Sequence, residues 1–113
     1  MATDVKAELR NLPMAPHKVR LVIDLVRGES VNNALNRLQF LTKNSAKPVS
    51  KLIASAAANA EHNYGLNRET LYVHMISADE APLRKWRRFG ARGRFKPILR
   101  RSSHIKVVLR EKA

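Results

Sequence analysis

Residues 82–103 read PLRKWRRFGARGRFKPILRRSS, and this stretch decides how the whole chain is interpreted. Gly90 and Gly93 lie near its middle, where a tight reversal of the chain requires residues that tolerate a positive φ. Pro97 removes one backbone donor, which a two-stranded ribbon tolerates because each strand has a free edge. We therefore predict a long β-hairpin with about ten residues in each arm. At roughly 3.3 Å per residue, its tip would lie on the order of 30 Å from the base.

The basic residues are concentrated in this part of the chain. The 113 residues carry a formal charge of +13; residues 81–113 hold 12 basic and 1 acidic side chain, against 10 and 8 in residues 1–80. A concentrated run creates a local potential that attracts phosphates, whereas an even spread is often only a solubility feature. In a regular strand the cations would lie on both faces, which indicates phosphate on both sides. Nucleic acid is the predicted partner.

The aromatic residues of this stretch leave two interpretations open. Trp86, Phe89 and Phe95 alternate with cations, as expected for rings that stack on unpaired bases or for rings that pack on each other across the ribbon. A two-stranded ribbon is marginally stable alone, and like charges across the strands weaken it further. We therefore expect the partner to help fold the arm. A disordered basic tail is the competing interpretation, and the apolar strand that follows argues against it.

The spacing of apolar residues predicts three strands outside this stretch. Apolar and polar residues alternate over residues 5–9 and 71–75, and the last strand, residues 105–109, places Ile105, Val107 and Leu109 on one face, as expected for strands with one buried face. In the second strand, Leu71, Val73 and Met75 are expected to share that face.

Helical spacing predicts three helices between the first two strands. The first helix buries Val19, Val22, Ile23 and Val26 and stops at Gly28. The second helix is capped by Ser30, and Phe40 and Leu41 are expected to close it onto the core. The third helix is expected to start at Asn44 or Ser45, to accommodate Pro48 in its first turn and to end at Gly65.

These elements predict an α+β fold, with three helices packed on a small three-stranded antiparallel sheet and a long basic β-hairpin extension. Residues 1–113 are expected to form a single domain, because the chain is too short for two ordinary domains. The globular part would comprise about residues 1–81 and 104–113, and the hairpin about residues 82–103.

The sequence lacks the patterns that catalysis, cofactors and metals require. There is no cysteine, the four histidines lie far apart, and none of the four glycines belongs to a nucleotide-binding loop. Asp79 and Glu80 would point to opposite faces of a strand, and Ser102, Ser103 and His104 have no acid to orient a base. We expect no enzyme, no cofactor and no metal. Residues 1–6 lack the pattern of a signal peptide, and no apolar run is long enough to span a membrane, so a cytoplasmic location is expected.

Three segments of this sequence resemble the large-subunit ribosomal protein L-twenty-two family in its bacterial form. They are KVRLVIDLVRG at residues 18–28, ANAEHN at residues 58–63 and RSSHI at residues 101–105. The resemblance implies a globular part on the large-subunit surface near the exit of the nascent-chain tunnel and a hairpin that reaches inward along ribosomal RNA. It also implies binding to the large (23S-type) RNA early in assembly and a hairpin tip at the tunnel constriction near the macrolide site.

The implied partners are the large-subunit RNA, neighbouring large-subunit proteins and the nascent polypeptide, with no membrane and no homo-oligomer. Carried over onto this sequence, the candidate RNA-binding residues are Lys18, Arg20, Asn59, His62, Asn63, Arg84, Lys85, Trp86, Arg87, Arg88, Arg92, Arg94, Lys96, Arg100, Arg101, Ser103 and His104. The candidate tunnel-lining tip is Gly90, Ala91, Arg92, Gly93 and Arg94. Capping or internal hydrogen bonding is the alternative role for Asn59 and His62.

The sequence departs from the family pattern at two places. The family usually has Pro-Arg before Ala-x-Gly-Arg at the tip, whereas this chain has Phe89 and Gly90 there, which would remove one lumen-facing cation. Ala15 stands where the family often has a serine that could cap the first helix.

Two other classes of function compete with this interpretation. An architectural DNA protein could grip a duplex through a basic β-arm, and preferential binding to duplex DNA would favour it. An RNA-processing enzyme with a basic docking arm would need a pocket of perturbed acids or histidines, and turnover by the pure protein would favour that reading.

Overall fold

The computed structural model describes residues 4–82, 84–89 and 95–112, and for residues 84–89 and 95–100 it describes the backbone alone. The elements are β1 (Asp4–Leu12), α1 (Pro16–Ile23), α2 (Val31–Gln39), α3 (Ala46–Tyr64), a 3₁₀ turn (Arg68–Thr70), β2 (Leu71–Glu80), β3 (Arg84–Phe89), β4 (Phe95–Arg100) and β5 (Ser103–Glu111). β1, β5 and β2 form an antiparallel sheet in the order β1-β5-β2, and β3 pairs with β4. The predicted α+β architecture is therefore confirmed.

β5 is the central strand because it pairs with both β1 and β2, and its alternating residues supply the middle of the core. Ile105, Val107 and Leu109 are all buried, as their period-two spacing predicts. Leu109 lies opposite Val5 of β1 and Val73 of β2, and both of these residues are also buried. The three helices supply the other half of the same apolar cluster.

The burial pattern of β2 differs from the prediction at Met75, which is 60% exposed. The register with β5 shifts between Val73 and Met75, so one extra residue interrupts the alternation. Beyond a bulge, side chains change face, because the side-chain period of a strand is two. Ile76 occupies the buried face in place of Met75.

α1 ends at Ile23, earlier than the predicted stop at Gly28. The N–H groups of Leu25 and Val26 bond to carbonyls three residues back, so the chain tightens into turns, although Val26 stays buried. Gly28 has a φ of 80° and donates its N–H to the carbonyl of Val73 at 2.9 Å. Gly28 therefore joins the end of this segment to the sheet.

The ends of α2 and α3 mostly follow the sequence signals. The Ser30 hydroxyl accepts a bond from the N–H of Asn33 at 3.3 Å, which confirms the predicted cap. α3 begins directly after Ser45 and ends at Gly65, which has a φ of 64°. The prediction that Phe40 closes α2 onto the core is wrong, because its side chain is 81% exposed. Leu38 already faces the core, and a residue two positions later points to the other side of a helix.

The free edge of β2 is covered by the segment that contains α1. Arg20 donates from both Nε and Nη2 to the carbonyl of Ala78, at 3.1 and 2.9 Å. Arg27 donates from Nη2 to the carbonyl of Ile76 at 3.0 Å, next to the bond from Gly28 to Val73. These bonds satisfy carbonyls that an uncovered edge strand would leave exposed for pairing with another chain.

The hairpin continues the pairing of β2 with β5. The N–H of Ala81 donates to the carbonyl of Ser102 at 3.0 Å, and the β3–β4 register runs from Arg84 opposite Arg100 to Phe89 opposite Phe95. The Cα trace extends 64 Å along its longest axis and 26 and 18 Å along the others. The predicted turn at Gly90 and Gly93 lies outside the described residues.

Candidate nucleic-acid interface

The candidate residues lie at two different ends of the sheet and on the hairpin. At one end, which we call the hairpin end, Leu12 and Glu80 both lie opposite Ser103, directly before the hairpin begins. At the other end, which we call the far end, Leu71 lies opposite Glu111. Each candidate residue can be assigned to one of these ends or to the hairpin itself.

Lys18 and Arg20 lie on α1 at the hairpin end. Arg20 is held there by its two bonds to Ala78, which leave other N–H groups of the guanidinium able to donate. The Lys18 side chain is exposed and has no ion pair among residues whose side chains the structure describes. Two cations with donors available for phosphate therefore lie beside the base of the hairpin.

Arg101 and His104 also lie at the hairpin end. Nη1 of Arg101 lies 3.6 Å from Oε1 of Glu80, and both side chains are largely exposed, so this ion pair contributes little and can exchange for a phosphate. Nδ1 of His104 accepts a bond from the N–H of Asn11 at 3.1 Å. Asn11 has a φ of 57° at the irregularity of β1, so His104 stabilises a bend in the edge strand.

Ser103 has a structural role that its sequence context did not reveal. Its side chain is fully buried, and its hydroxyl donates to the carbonyl of Met14 at 2.6 Å. This bond fixes the loop before α1 against the first residue of β5. We therefore leave the Ser103 side chain out of the proposed interface, because its hydroxyl proton is already engaged and shielded from solvent.

Asn59, His62 and Asn63 lie at the far end, away from the other candidates. Nε of Arg68 lies 2.8 Å from Oε1 of Glu61, and the N–H of Lys112 donates to the carbonyl of Thr70 at 2.8 Å. The last turns of α3 therefore lie beside the start of β2 and the end of β5. Nδ2 of Asn63 donates to Oδ1 of Asn59, which is the internal bond considered as an alternative role, and His62 is exposed.

The candidates on the hairpin are placed by the backbone register. Arg84, Lys85, Trp86, Arg87, Arg88, Lys96 and Arg100 lie on β3 and β4. Arg84 lies opposite Arg100, and Arg88 lies opposite Lys96, so basic residues are paired with basic residues twice. The tip candidates Gly90, Ala91, Arg92, Gly93 and Arg94 lie outside the described residues.

The ion pairs of the globular part all use arginine. Among residues with described side chains, the pairs are Arg10–Glu8, Arg27–Asp24, Arg37–Glu29, Arg68–Glu61 and Arg110–Asp4, and Arg101 of the hairpin pairs with Glu80 in the same way. The hydrogen bond from Arg110 lowers the pKa of Asp4, and the same bond raises the pKa of Arg110. Most acids of this part are thus paired with an arginine, whereas no lysine takes part in an ion pair among the described side chains.

Sequence reasoning missed Lys43, Lys47 and Lys51, which lie before and along the first half of α3 and are all exposed. A signal was available, because the sequence holds no Asp or Glu from residue 30 to residue 60. Within the described part of the chain, no group of three metal-ligating residues and no helix able to cross a membrane is found.

Comparison with known proteins identifies the family. The family model described as Ribosomal protein L22p/L17e matches residues 7–110. The chain is 51% identical over 106 residues to Large ribosomal subunit protein uL22 of Dehalococcoides mccartyi, covering 94% of this chain and 97% of that protein. Proteins of the same name from Herpetosiphon aurantiacus and Lactobacillus gasseri are 50% and 46% identical, covering 92% and 97% of this chain and 92% and 94% of their own lengths.

These relatives are named as ribosomal proteins, which agrees with the prediction that the chain is not an enzyme. The match extends through the globular part and both hairpin strands, and so includes all three segments that carried the resemblance. The chain therefore belongs to the ribosomal protein family L22p/L17e.

Proposed function

We propose that this chain is a structural component of the large ribosomal subunit that binds the large (23S-type) ribosomal RNA and assists its assembly. The hairpin would line the nascent polypeptide exit tunnel near the macrolide site, with neighbouring large-subunit proteins and the nascent chain as further partners. The proposal rests on family membership and on one observation, the register of the hairpin. The protein would accordingly be bound to ribosomes in the cytoplasm.

The register favours RNA because it pairs like charges. Arg84 opposite Arg100 and Arg88 opposite Lys96 would repel each other in a free ribbon, and a two-stranded ribbon is marginally stable even without such repulsion. Phosphates on both sides would neutralise these cations and release counterions. Folding of the arm and packing of RNA around it would then be coupled steps of assembly.

The proposed RNA-binding surface of the hairpin would continue onto the globular part at the base of the hairpin. Lys18, Arg20 and Arg101 lie at the hairpin end, where an RNA that follows the arm would meet the globular part. Asn59, His62 and Asn63 lie at the far end and would contact a separate RNA segment. Contacts at both ends would let one protein hold RNA segments that are distant in sequence.

The test compares RNA binding of the full chain with that of a hairpin variant. Arg84→Gln, Arg88→Gln and Arg100→Gln together remove three cations from β3 and β4. The matched control, Lys6→Gln, Lys106→Gln and Lys112→Gln, removes the same charge from exposed lysines outside the candidate set. With in vitro-transcribed large-subunit RNA, the hairpin variant should lose affinity by on the order of a hundredfold at 0.15 M salt, with a salt slope flatter by about 2 to 3 units.

Two outcomes would contradict this function. Equal losses in the hairpin variant and the control would mean that net charge alone binds RNA. Tighter binding of the unaltered chain to duplex DNA of matched length would favour the architectural DNA protein instead. In cell lysates, retention on the large subunit through a high-salt wash supports the proposal, and migration with DNA or at the top of the gradient contradicts it.

The tunnel part of the proposal has its own test at the tip. Arg92→Ala with Arg94→Ala should alter macrolide susceptibility or the stalling of nascent chains, because these residues would lie nearest the lumen. The thermal midpoint of the free protein should stay the same, since the tip is remote in sequence from the apolar core. A fall in that midpoint, with unaltered tunnel behaviour, would assign the two arginines to folding.

A further inference from the structure

An exposed row of lysines, which we call the lysine row, comprises Lys43, just before α3, and Lys47 and Lys51, in the first half of α3. Lys47 and Lys51 are separated by four residues, so they are neighbours on the helix surface. Both line a groove of about 630 Å³ between β1 and α3, and all three lysines line a second groove between α2 and α3. The row therefore forms a ridge of positive charge between two shallow grooves.

The charge of the lysine row is not matched by acids within the described side chains. None of the three lysines takes part in an ion pair there. The one acid in the adjoining groove is Glu8, whose Oε1 lies 3.3 Å from Nε of Arg10. Like charges four residues apart weaken a helix, so this arrangement is unfavourable for the isolated protein.

The position of the row relates it to the hairpin. The groove that Lys47 and Lys51 share is also lined by Leu9 and Leu12 of β1. Leu12 lies opposite Ser103, so this groove reaches the hairpin end of the sheet. Lys18 and Arg20 lie at the same end on the side of β2, the opposite edge of the sheet. Cations thus flank the base of the hairpin on both sides.

We propose that the lysine row is a second RNA-binding surface, which holds backbone phosphates of the large-subunit RNA independently of the hairpin. The inference rests on the proposed function and adds a surface to it. Lysine suits this role because its ammonium is a compact point charge on a flexible stem, able to meet phosphates without reading a sequence. The row would fix the orientation of the globular part on RNA while the hairpin folds.

The test removes the charge of the lysine row and compares this variant with the control variant of Lys6, Lys106 and Lys112. Lys43→Gln, Lys47→Gln and Lys51→Gln together should lower the affinity for in vitro-transcribed large-subunit RNA by on the order of tenfold to a hundredfold at 0.15 M salt. The salt slope should flatten by about 2 units, whereas the control should change affinity by about threefold at most. Circular dichroism and the thermal midpoint should be unchanged in both variants.

A measurement on the unaltered chain avoids any dependence on the folding of variants. Acetylation of Lys43, Lys47 and Lys51 should slow when this RNA is bound, relative to acetylation of Lys6, Lys106 and Lys112. Equal rates with and without RNA would overturn the inference. A double variant, Lys47→Gln with Lys51→Gln, serves if the triple variant does not fold.

The outcomes separate this inference from the proposed function. If the hairpin variant loses RNA and the lysine-row variant binds as tightly as the unaltered chain, the inference fails and the proposed function stands. If the lysine-row variant binds RNA normally but does not enter the subunit, a protein partner occupies the row and the inference also fails. If the unaltered chain does not bind large-subunit RNA, both fail.

Discussion

The globular part and the hairpin use the same residue, arginine, in opposite ways. In the globular part, arginines bond to the protein itself: five form ion pairs within the described side chains, and Arg20 and Arg27 bond to carbonyls of β2. In the hairpin, Arg84 and Arg88 lie opposite Arg100 and Lys96. The first arrangement is complete without a partner, whereas the second needs an external anion to neutralise it.

The folding free energy of the two regions therefore has different sources. The globular part buries a contiguous apolar cluster from three helices and three strands, which is the main favourable contribution to folding. A two-stranded ribbon has no second layer to pack against. We therefore expect the globular part to be stable in free solution and the hairpin to gain most of its stability from RNA.

The largest expected effect is that of a core substitution on the globular part alone. Leu109→Ala should lower the free energy of unfolding by about 2 to 5 kcal/mol, because Leu109 is fully buried between Val5 and Val73. Denaturant unfolding of the protein without RNA gives the value. Val108→Ala, in the same strand but partly exposed, is the control and should lower it by about 1 kcal/mol or less.

Equal, small effects of the two substitutions would contradict a globular part that is stable on its own. That result would mean that the sheet is not formed in the free protein, so that the globular part also depends on RNA. A large effect of Leu109→Ala, with no change in amide exchange of residues 84–89, would show that the two regions unfold independently.

A smaller effect is expected at the boundary between the two regions. Ser103→Ala should lower the free energy of unfolding by about 1 to 3 kcal/mol, because it leaves the carbonyl of Met14 without its buried donor. Ser102→Ala, whose side chain has no hydrogen bond among the described contacts, should change it by about 0.5 kcal/mol or less. RNA affinity should change equally little in both variants. A selective loss of RNA affinity in Ser103→Ala would indicate that the Ser103 side chain contributes to RNA binding after all.

Local signals in the sequence predicted the fold well, and long-range contacts account for most of the differences. Ser30 and Gly65 act within a few residues, so cap and stop could be predicted directly. The exposure of Met75 could not, because a bulge depends on pairing with β5, far along the chain. The early end of α1 likewise depends on the bond from Gly28 to Val73.

The candidate site shows the same division. The family resemblance selected Ser103 and Arg20 as candidate RNA-binding residues, but their partners, Met14 and Ala78, are set by the tertiary structure. Lys43, Lys47 and Lys51 were missed for a different reason. Counting charge over residues 1–80 as one block combined the acid-free segment 30–60 with acid-containing segments on both sides, and so concealed a local excess.

The smallest expected effect concerns the ion pair of Asp4 with Arg110, where Nε lies 2.7 Å from Oδ1. The hydrogen bond from Arg110 lowers the pKa of Asp4 below its ordinary 3.8, so the pair stabilises the fold above that pH and the contribution disappears as pH falls through the lowered pKa. Asp4→Asn should therefore reduce the thermal midpoint slightly at pH 7, with the difference vanishing in strong acid. Asp79→Asn removes the same charge from an exposed acid without an ion pair among the described side chains, and serves as the control. If both variants behave alike at every pH, the effect is one of net charge, and arginine pairing in the globular part contributes nothing specific at this position.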